Sequence, residues 1–237
     1  MRNVIVALVF AVSIADAQNV SLNPKSVAAK GLAIRSDTLD GYVDDGKKRR
    51  FFGYYIHAVA RTTIAGKAAY FVTMNYRSGD SFQSDTTALD AATLTPLWRR
   101  FHAREDTVSV VYNGRNVSGF AIQNRNGSIT RKKISRQISD SAFSAGMLRW
   151  IAGGLPLAPG YRFSMTTYSE WSDAEATGPV TVTRSETVKI GSRLVDTWIL
   201  TLSGGGERWF DKSTGAVVQE HDPRSLGGND TWKVMRR

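Results

Sequence analysis

Apolar and polar residues alternate in short runs along most of the chain, and turn-forming residues separate the runs. Phe51-Phe52-Gly53-Tyr54-Tyr55-Ile56 and Ala69 to Asn75 are rich in aromatic and β-branched side chains, with Ala65-Gly66-Lys67 between them as a tight turn. Arg77 to Asp80 is a second turn, followed by Ser81 to Leu89 as a strand. Val108 to Tyr112 runs into Asn113-Gly114, a pair that tolerates positive φ at both central positions of a hairpin loop. Val117 to Gln123 returns, and Asn126-Gly127 repeats the device before Ser128 to Arg136. Tyr161 to Thr167, Val180 to Ile190, Leu194 to Leu202, Glu207 to Phe210 and Ala216 to Glu220 continue the series. Asp173 to Pro179 reads as a loop and Thr231 to Met235 as a last strand. Strands this closely spaced pair with their sequence neighbours. The fold class expected is therefore mainly β: a curved antiparallel sheet or half-open β-barrel, connected as a meander.

One segment departs from the two-residue period. Ser139 to Gly153 carries apolar side chains at Phe143, Met147, Leu148, Trp150 and Ile151, a helical spacing. Ser139 or Asp140 can cap it, Gly153-Gly154 can stop it, and Pro156 and Pro159 bar its extension. This predicts one α-helix near residues 140–152 whose apolar face packs on the sheet. A curved sheet over a single helix can enclose an apolar cavity. Phe143, Met147 and Trp150 are then the candidate ligand-binding residues.

The first residues have a different texture. Arg2 precedes an apolar run from Val4 to Ala15, and Ala15-Asp16-Ala17 places small residues where a signal peptidase cuts. The expected organisation is a signal peptide over 1–17, a flexible lead-in over 18–30, and a single β-rich domain over 31–237. Export follows, to the periplasm by preference and to full secretion as the alternative. The apolar run is too short to span a bilayer. The chain has no cysteine, which excludes disulfides, thiolate metal sites and a lipid-modified N-terminal cysteine.

Lysine and arginine number 31 against 21 acidic residues, a formal charge of +10. That balance favours anionic partners, with an anionic membrane surface foremost. The basic residues fall in pairs and short runs (Lys47 to Arg50, Arg99-Arg100, Arg131 to Lys133, Arg236-Arg237), not in a long tract. No nucleic-acid partner is expected.

The residues that carry catalysis elsewhere are poorly placed here. His57, His102 and His221 fall at no metal-ligand spacing, and no G-x-S-x-G elbow occurs. Gly204 to Gly206 precedes a strand, so it cannot seat a phosphate on a helix N-terminus. No catalytic residue, metal or cofactor is expected, and the protein reads as a non-enzymatic binder of a lipid or other apolar small molecule. A structural or interaction module of the cell envelope is the first alternative. A hydrolase of envelope glycan or lipid is the second, because the fold could still bring two carboxylates together.

Leu89-Asp90-Ala91-Ala92-Thr93-Leu94-Thr95-Pro96-Leu97 and Phe210-Asp211-Lys212-Ser213-Thr214-Gly215-Ala216-Val217-Val218 form a weak internal repeat. Its aspartates are expected to accept backbone N–H bonds and close tight turns. Together with the helical segment running into Leu155-Pro156-Leu157-Ala158-Pro159-Gly160, these hairpins resemble the exported bacterial family called domain of unknown function 3108, over about residues 31 to 221. The resemblance implies a periplasmic, largely antiparallel β protein of unassigned activity and carries over no site residue. More loosely, the aromatic-Asp-x-x-Thr-Gly hairpin is similar to hairpins in periplasmic lipoprotein-carrier proteins. Those fold as a half-open barrel around a helical lid and hold acyl chains. That analogy concerns fold, which does not establish function.

Overall fold

The computed structural model describes residues 20–22, 27, 32–44, 47–223 and 231–236. The signal-peptide segment expected over 1–17 lies outside the described residues. Eight strands follow one another as a meander: β2 (Arg35–Asp44), β3 (Arg49–Ile64), β4 (Lys67–Ser78), β5 (Ser81–Asp90), β6 (Pro96–Ala103), β7 (Asp106–Asn113), β8 (Asn116–Arg125) and β9 (Ser128–Gln137). A second meander holds β11 (Arg162–Ser169), β12 (Ala174–Ile190), β13 (Arg193–Leu202), β14 (Glu207–Asp211) and β15 (Val217–Asp222). The short β1 (Val20–Leu22) and β10 (Ala142–Ser144) and the last strand β16 (Thr231–Arg236) complete sixteen strands in one curved, unclosed sheet.

β16 joins the two meanders. It pairs antiparallel with β15, Glu220 opposite Val234, and with β2, Val43 opposite Trp232. At the far edge, β1 and β10 lie end to end along β11, both parallel to it. Strand alternation is visible in β3, where Gly53, Tyr55, His57 and Val59 are buried in turn.

The main core lies between the two meanders. Leu39, Val59, Val72 and Leu89 from the first meander meet Phe163, Val182, Leu200 and Phe210 from the second. A second core gathers Val108, Val110, Val117 and Ile134 from β7–β9 against Ala142 and Tyr168. This brings the free edge of β9 to the β11–β12 turn without a backbone ladder between them. Side chains bridge the seam: Lys132 donates to the Ser172 carbonyl at 2.9 Å, Arg136 to that of Asp173, and the Ser139 N–H to Glu175 at 2.8 Å.

The helix differs from its expected extent. Residues 140–152 do not form one helix: α1 spans only Leu148–Ile151, followed by a 3₁₀ turn over Ala152–Gly154. Ala142–Ser144 is strand, all three residues buried. The reason is twofold. The edge of β11 offers backbone partners to Ala142–Ser144, and Gly146, at φ 80°, cannot belong to a right-handed helix.

Three smaller differences share a cause in pairing. The lead-in expected to be flexible over 18–30 contains β1, with Leu22 and Val27 buried in the core. The loop expected over Asp173–Pro179 is largely strand, since Ala174–Pro179 pairs with Ser164–Ser169. The Asn113-Gly114 hairpin turns one residue later, on Gly114 and Arg115, with Asn113 opposite Asn116. Asn126-Gly127 turns as expected, with both φ values positive.

The internal repeat is a pair of equivalent turns. Asp90 Oδ1 accepts from the N–H groups of Ala92 and Thr93, at 3.0 and 2.9 Å, and from Thr93 Oγ1. Asp211 Oδ1 accepts from the N–H groups of Ser213 and Thr214, at 2.8 and 3.2 Å, and from Ser213 Oγ. Each turn ends on a left-handed residue, Leu94 at φ 54° and Gly215 at φ 65°, beside a bulge in its hairpin.

Candidate functional site

α1 packs into the main core, and its few residues divide between two hollows. Met147 and Leu148 line a cavity of about 310 Å³ together with Met165, Pro179, Val180 and Leu202. Trp150 lines a separate recess of about 190 Å³ with Leu32, Arg35 and Gly154. Phe143 belongs to the main core at 1% exposure and lines neither. The three residues singled out in the sequence therefore share the main core but line no common cavity. Phe143 stands on β10, so the helical spacing that linked it to Met147 and Trp150 is not realised.

Sequence reasoning missed the charged side of the larger cavity. Arg149, set between Leu148 and Trp150, meets Glu220 of β15 through Nε at 3.1 Å and Nη2 at 3.2 Å. Arg208 of β14 approaches the same carboxylate, Nε to Oε2 3.4 Å. Both arginines line the cavity. Arg35 donates to the Arg149 carbonyl at 3.2 Å and packs over the Trp150 ring. A signal was present in the sequence: Arg149 interrupts the apolar run Met147 to Ile151.

The electrostatics follow from burial. Desolvation alone would raise the Glu220 carboxyl, but Arg149, then Arg208 and His57, outweigh it and bring it down to about 2. His57, on β3, is 4% exposed and lies edge-on to Trp150 at 5.4 Å. Burial, reinforced by Arg149 and Arg35 against Glu220, lowers its pKa to about 3. It is a neutral packing group at neutral pH. His102 is exposed on β6, and His221, itself half-buried, sits on β15 between the buried Glu220 and the half-buried Asp222.

A second buried polar cluster has another character. Arg99 of β6 pairs with Asp85 of β5, Nη2 to Oδ2 2.7 Å, and with Glu170 of the β11–β12 turn. Tyr112 donates to Glu170 at 2.5 Å. Burial opposes the Arg99 charge, yet the bond to Asp85 and the field of Glu170 raise its pKa above the ordinary value. Glu170 is fully buried. The cluster ties the first meander to the second and lines none of the hollows described above.

A larger hollow, about 680 Å³, opens at the hairpin ends of β4–β5 and β6–β7, between Phe82, Gln83, Arg104 and Asp106. Its polar groups already bond one another: Arg104 to Ser81 at 3.1 Å, and the Asn124 N–H to Asp106 at 2.8 Å. The smaller cavity beside α1 combines an apolar lining with charge and is the better site. Among the described residues, no group of three or more His, Asp or Glu is placed to hold a metal ion. Nor, among those residues, is any helix long and apolar enough to cross a membrane.

The model of a family described as a protein of unknown function (DUF3108) matches residues 48–223. Among solved structures, the chain is similar to the hypothetical lipoprotein YmcC from Escherichia coli K12. The two share 17% identity over 85% of this chain and 86% of that one, with a TM-score of 0.32. No curated protein matches.

Proposed function

The chain belongs to the DUF3108 family, a family of unknown function, and from that premise we propose that it is an exported, non-enzymatic binder of a lipid or other apolar ligand. The observation that carries the reading is the 310 Å³ cavity beside α1, walled by Met147, Leu148, Met165, Val180 and Leu202. Ligand pockets run from about 300 to 1,000 Å³, mostly apolar with a few polar groups that orient the ligand. This cavity sits at the small end of that range and has that composition. Methionines suit it further, because their unbranched side chains adapt to ligands of irregular shape. Export to the periplasm is supported by the Arg2, Val4–Ala15 and Ala15-Asp16-Ala17 pattern.

The test is native mass spectrometry of the mature protein purified from its own envelope, followed by organic extraction. A copurifying apolar molecule is the expected result. A ligand-free mass, together with no uptake of apolar probes by the purified protein, overturns the reading.

A second reading concerns the surface. The β8–β9 hairpin exposes Arg125, Arg131 and Lys133 around Ile129, which is 65% exposed. Basic residues around an apolar tip suit an anionic membrane surface.

A further inference from the structure

We infer that the cavity beside α1 takes a single-chain amphiphile whose head is a monoanionic carboxylate, seated against Arg149 and Arg208. The inference rests on reading this cavity as an apolar-ligand site and adds the chemistry of the head group.

Charge balance is the first argument. Among the described residues, the charged lining of the cavity is Arg149 and Arg208. Both turn to one carboxylate, that of Glu220. Asp85, held by Arg99, also acts on Arg149 from a distance, but at direct contact two guanidiniums share one carboxylate, which leaves positive charge in excess in a half-buried setting, where unmatched charge is costly. One monoanionic head completes the balance. A neutral ligand leaves the deficit, and a dianion overshoots it.

Donor geometry is the second. Arg149 commits Nε and Nη2 to Glu220, while the partner of Nη1 among the described residues is the Met74 sulfur at 3.5 Å, a weak acceptor. Gly146 also lines the cavity, and a Cβ there would stand 3.2 Å from Arg149 Nη1. The missing side chain leaves that nitrogen uncovered. Arg208 commits Nη1 to the Glu207 and His221 carbonyls, at 2.8 and 3.1 Å. Planar guanidiniums with spare N–H groups match a planar carboxylate.

The remaining lining is suited to a chain. Met165, Val180, Leu202 and Met147 are apolar, and the volume is small enough to favour one acyl chain over two. The positive field also reaches beyond the cavity, since Arg149 and Arg35 help keep the neighbouring His57 neutral.

The experiment is displacement of the neutral fluorophore N-phenylnaphthylamine from the purified mature protein near neutral pH, by decanoate and by decanol. The two competitors differ in the head, not the chain. Decanoate is expected to displace the probe at about one-tenth the concentration decanol needs, the ratio one charge-assisted hydrogen bond supplies. Arg208→Gln is expected to cut that preference to about threefold or less, and Arg208→Lys to keep most of it. Equal displacement by acid and alcohol in the unaltered protein overturns the head-group assignment and leaves the apolar cavity standing. An undiminished preference in a folded Arg208→Gln protein also overturns it. A probe that does not bind, or that neither competitor displaces, removes the cavity reading and this inference with it.

Discussion

Gly153 and Gly215 approach so closely that a Cβ built on Gly215 would stand 2.0 Å from the Gly153 Cα. The 3₁₀ turn after α1 therefore rests directly on the Asp211 turn of the β14–β15 hairpin. In the equivalent Asp90 turn the corresponding position is Leu94, a buried side chain at nearly the same positive φ. Left-handed backbone is tolerated in this turn, and it is the approach of Gly153 that requires glycine at 215.

Gly215→Ala is accordingly expected to destabilise the protein by more than the ~1–2 kcal/mol that left-handed backbone costs a residue with a Cβ. Urea unfolding of the variant beside Gly66→Ala checks this. Gly66 has a similar positive φ and nothing within 4 Å of its Cβ position, so equal losses at the two sites would refute the packing argument.

Removing Glu220 should cost about 3–5 kcal/mol, because Arg149 and Arg208 both lose the carboxylate they share. Glu220→Leu should therefore be worse than Arg149→Met, which leaves Glu220 its contact with Arg208. Chemical denaturation of both proteins measures the difference, and a Glu220→Leu protein that is the more stable of the two would count against it.

Acid should destabilise the fold in two stages. His57 has a folded pKa of about 3 against an ordinary imidazole value of 6.5. The unfolded chain therefore takes the proton first, and this contribution is complete above pH 6.5 and lost as pH falls toward 3. Glu220 is lowered from 4.5 to about 2, so its contribution is complete above 4.5 and lost as pH falls toward 2. Each group adds a slope of about 1.4 kcal/mol per pH unit inside its own window. Unfolding free energies across pH should fall below 6.5 and steepen below 4.5, and His57→Gln should flatten the first stage. Flat stability from 6.5 to 4.5 in the unaltered protein would refute the His57 assignment.

The Arg99–Glu170–Tyr112 cluster should matter for folding and not for ligand. Glu170→Gln is expected to cost about 1–3 kcal/mol, the cost of weakening the buried bonds from Arg99 and Tyr112 while Asp85 still holds Arg99. Decanoate should still displace the neutral probe at the same concentration from the folded fraction. A weakened displacement would move this cluster into the binding site.

The β8–β9 hairpin should bind vesicles containing anionic phospholipid, and salt should weaken the binding. Arg131→Glu and Lys133→Glu should each reduce the binding free energy by about 1 kcal/mol or more. Flotation of the protein with neutral vesicles as strongly as with anionic ones would remove the electrostatic argument.

The residues themselves determined the β character and most of the turns. Alternation along Arg49–Ile64, the Asn126-Gly127 loop and the paired Asp90 and Asp211 turns depend on a few adjacent residues, and backbone sterics and local hydrogen bonds decide them wherever the segment sits. The helix was only partly legible. Its apolar spacing held from Met147 onward, but the edge of β11 captured Ala142–Ser144, and that edge is not encoded near them in sequence. The site was less legible still. Arg149 and Glu220 are 71 residues apart, and which charges share a cavity depends on how β14 and β15 fold back over α1. Hydrophobic period tells which face a residue takes on its own element. Only the tertiary structure decides which two faces meet, because that rests on long-range pairing: β16 joining the meanders, and the β9 edge reaching the β11–β12 turn.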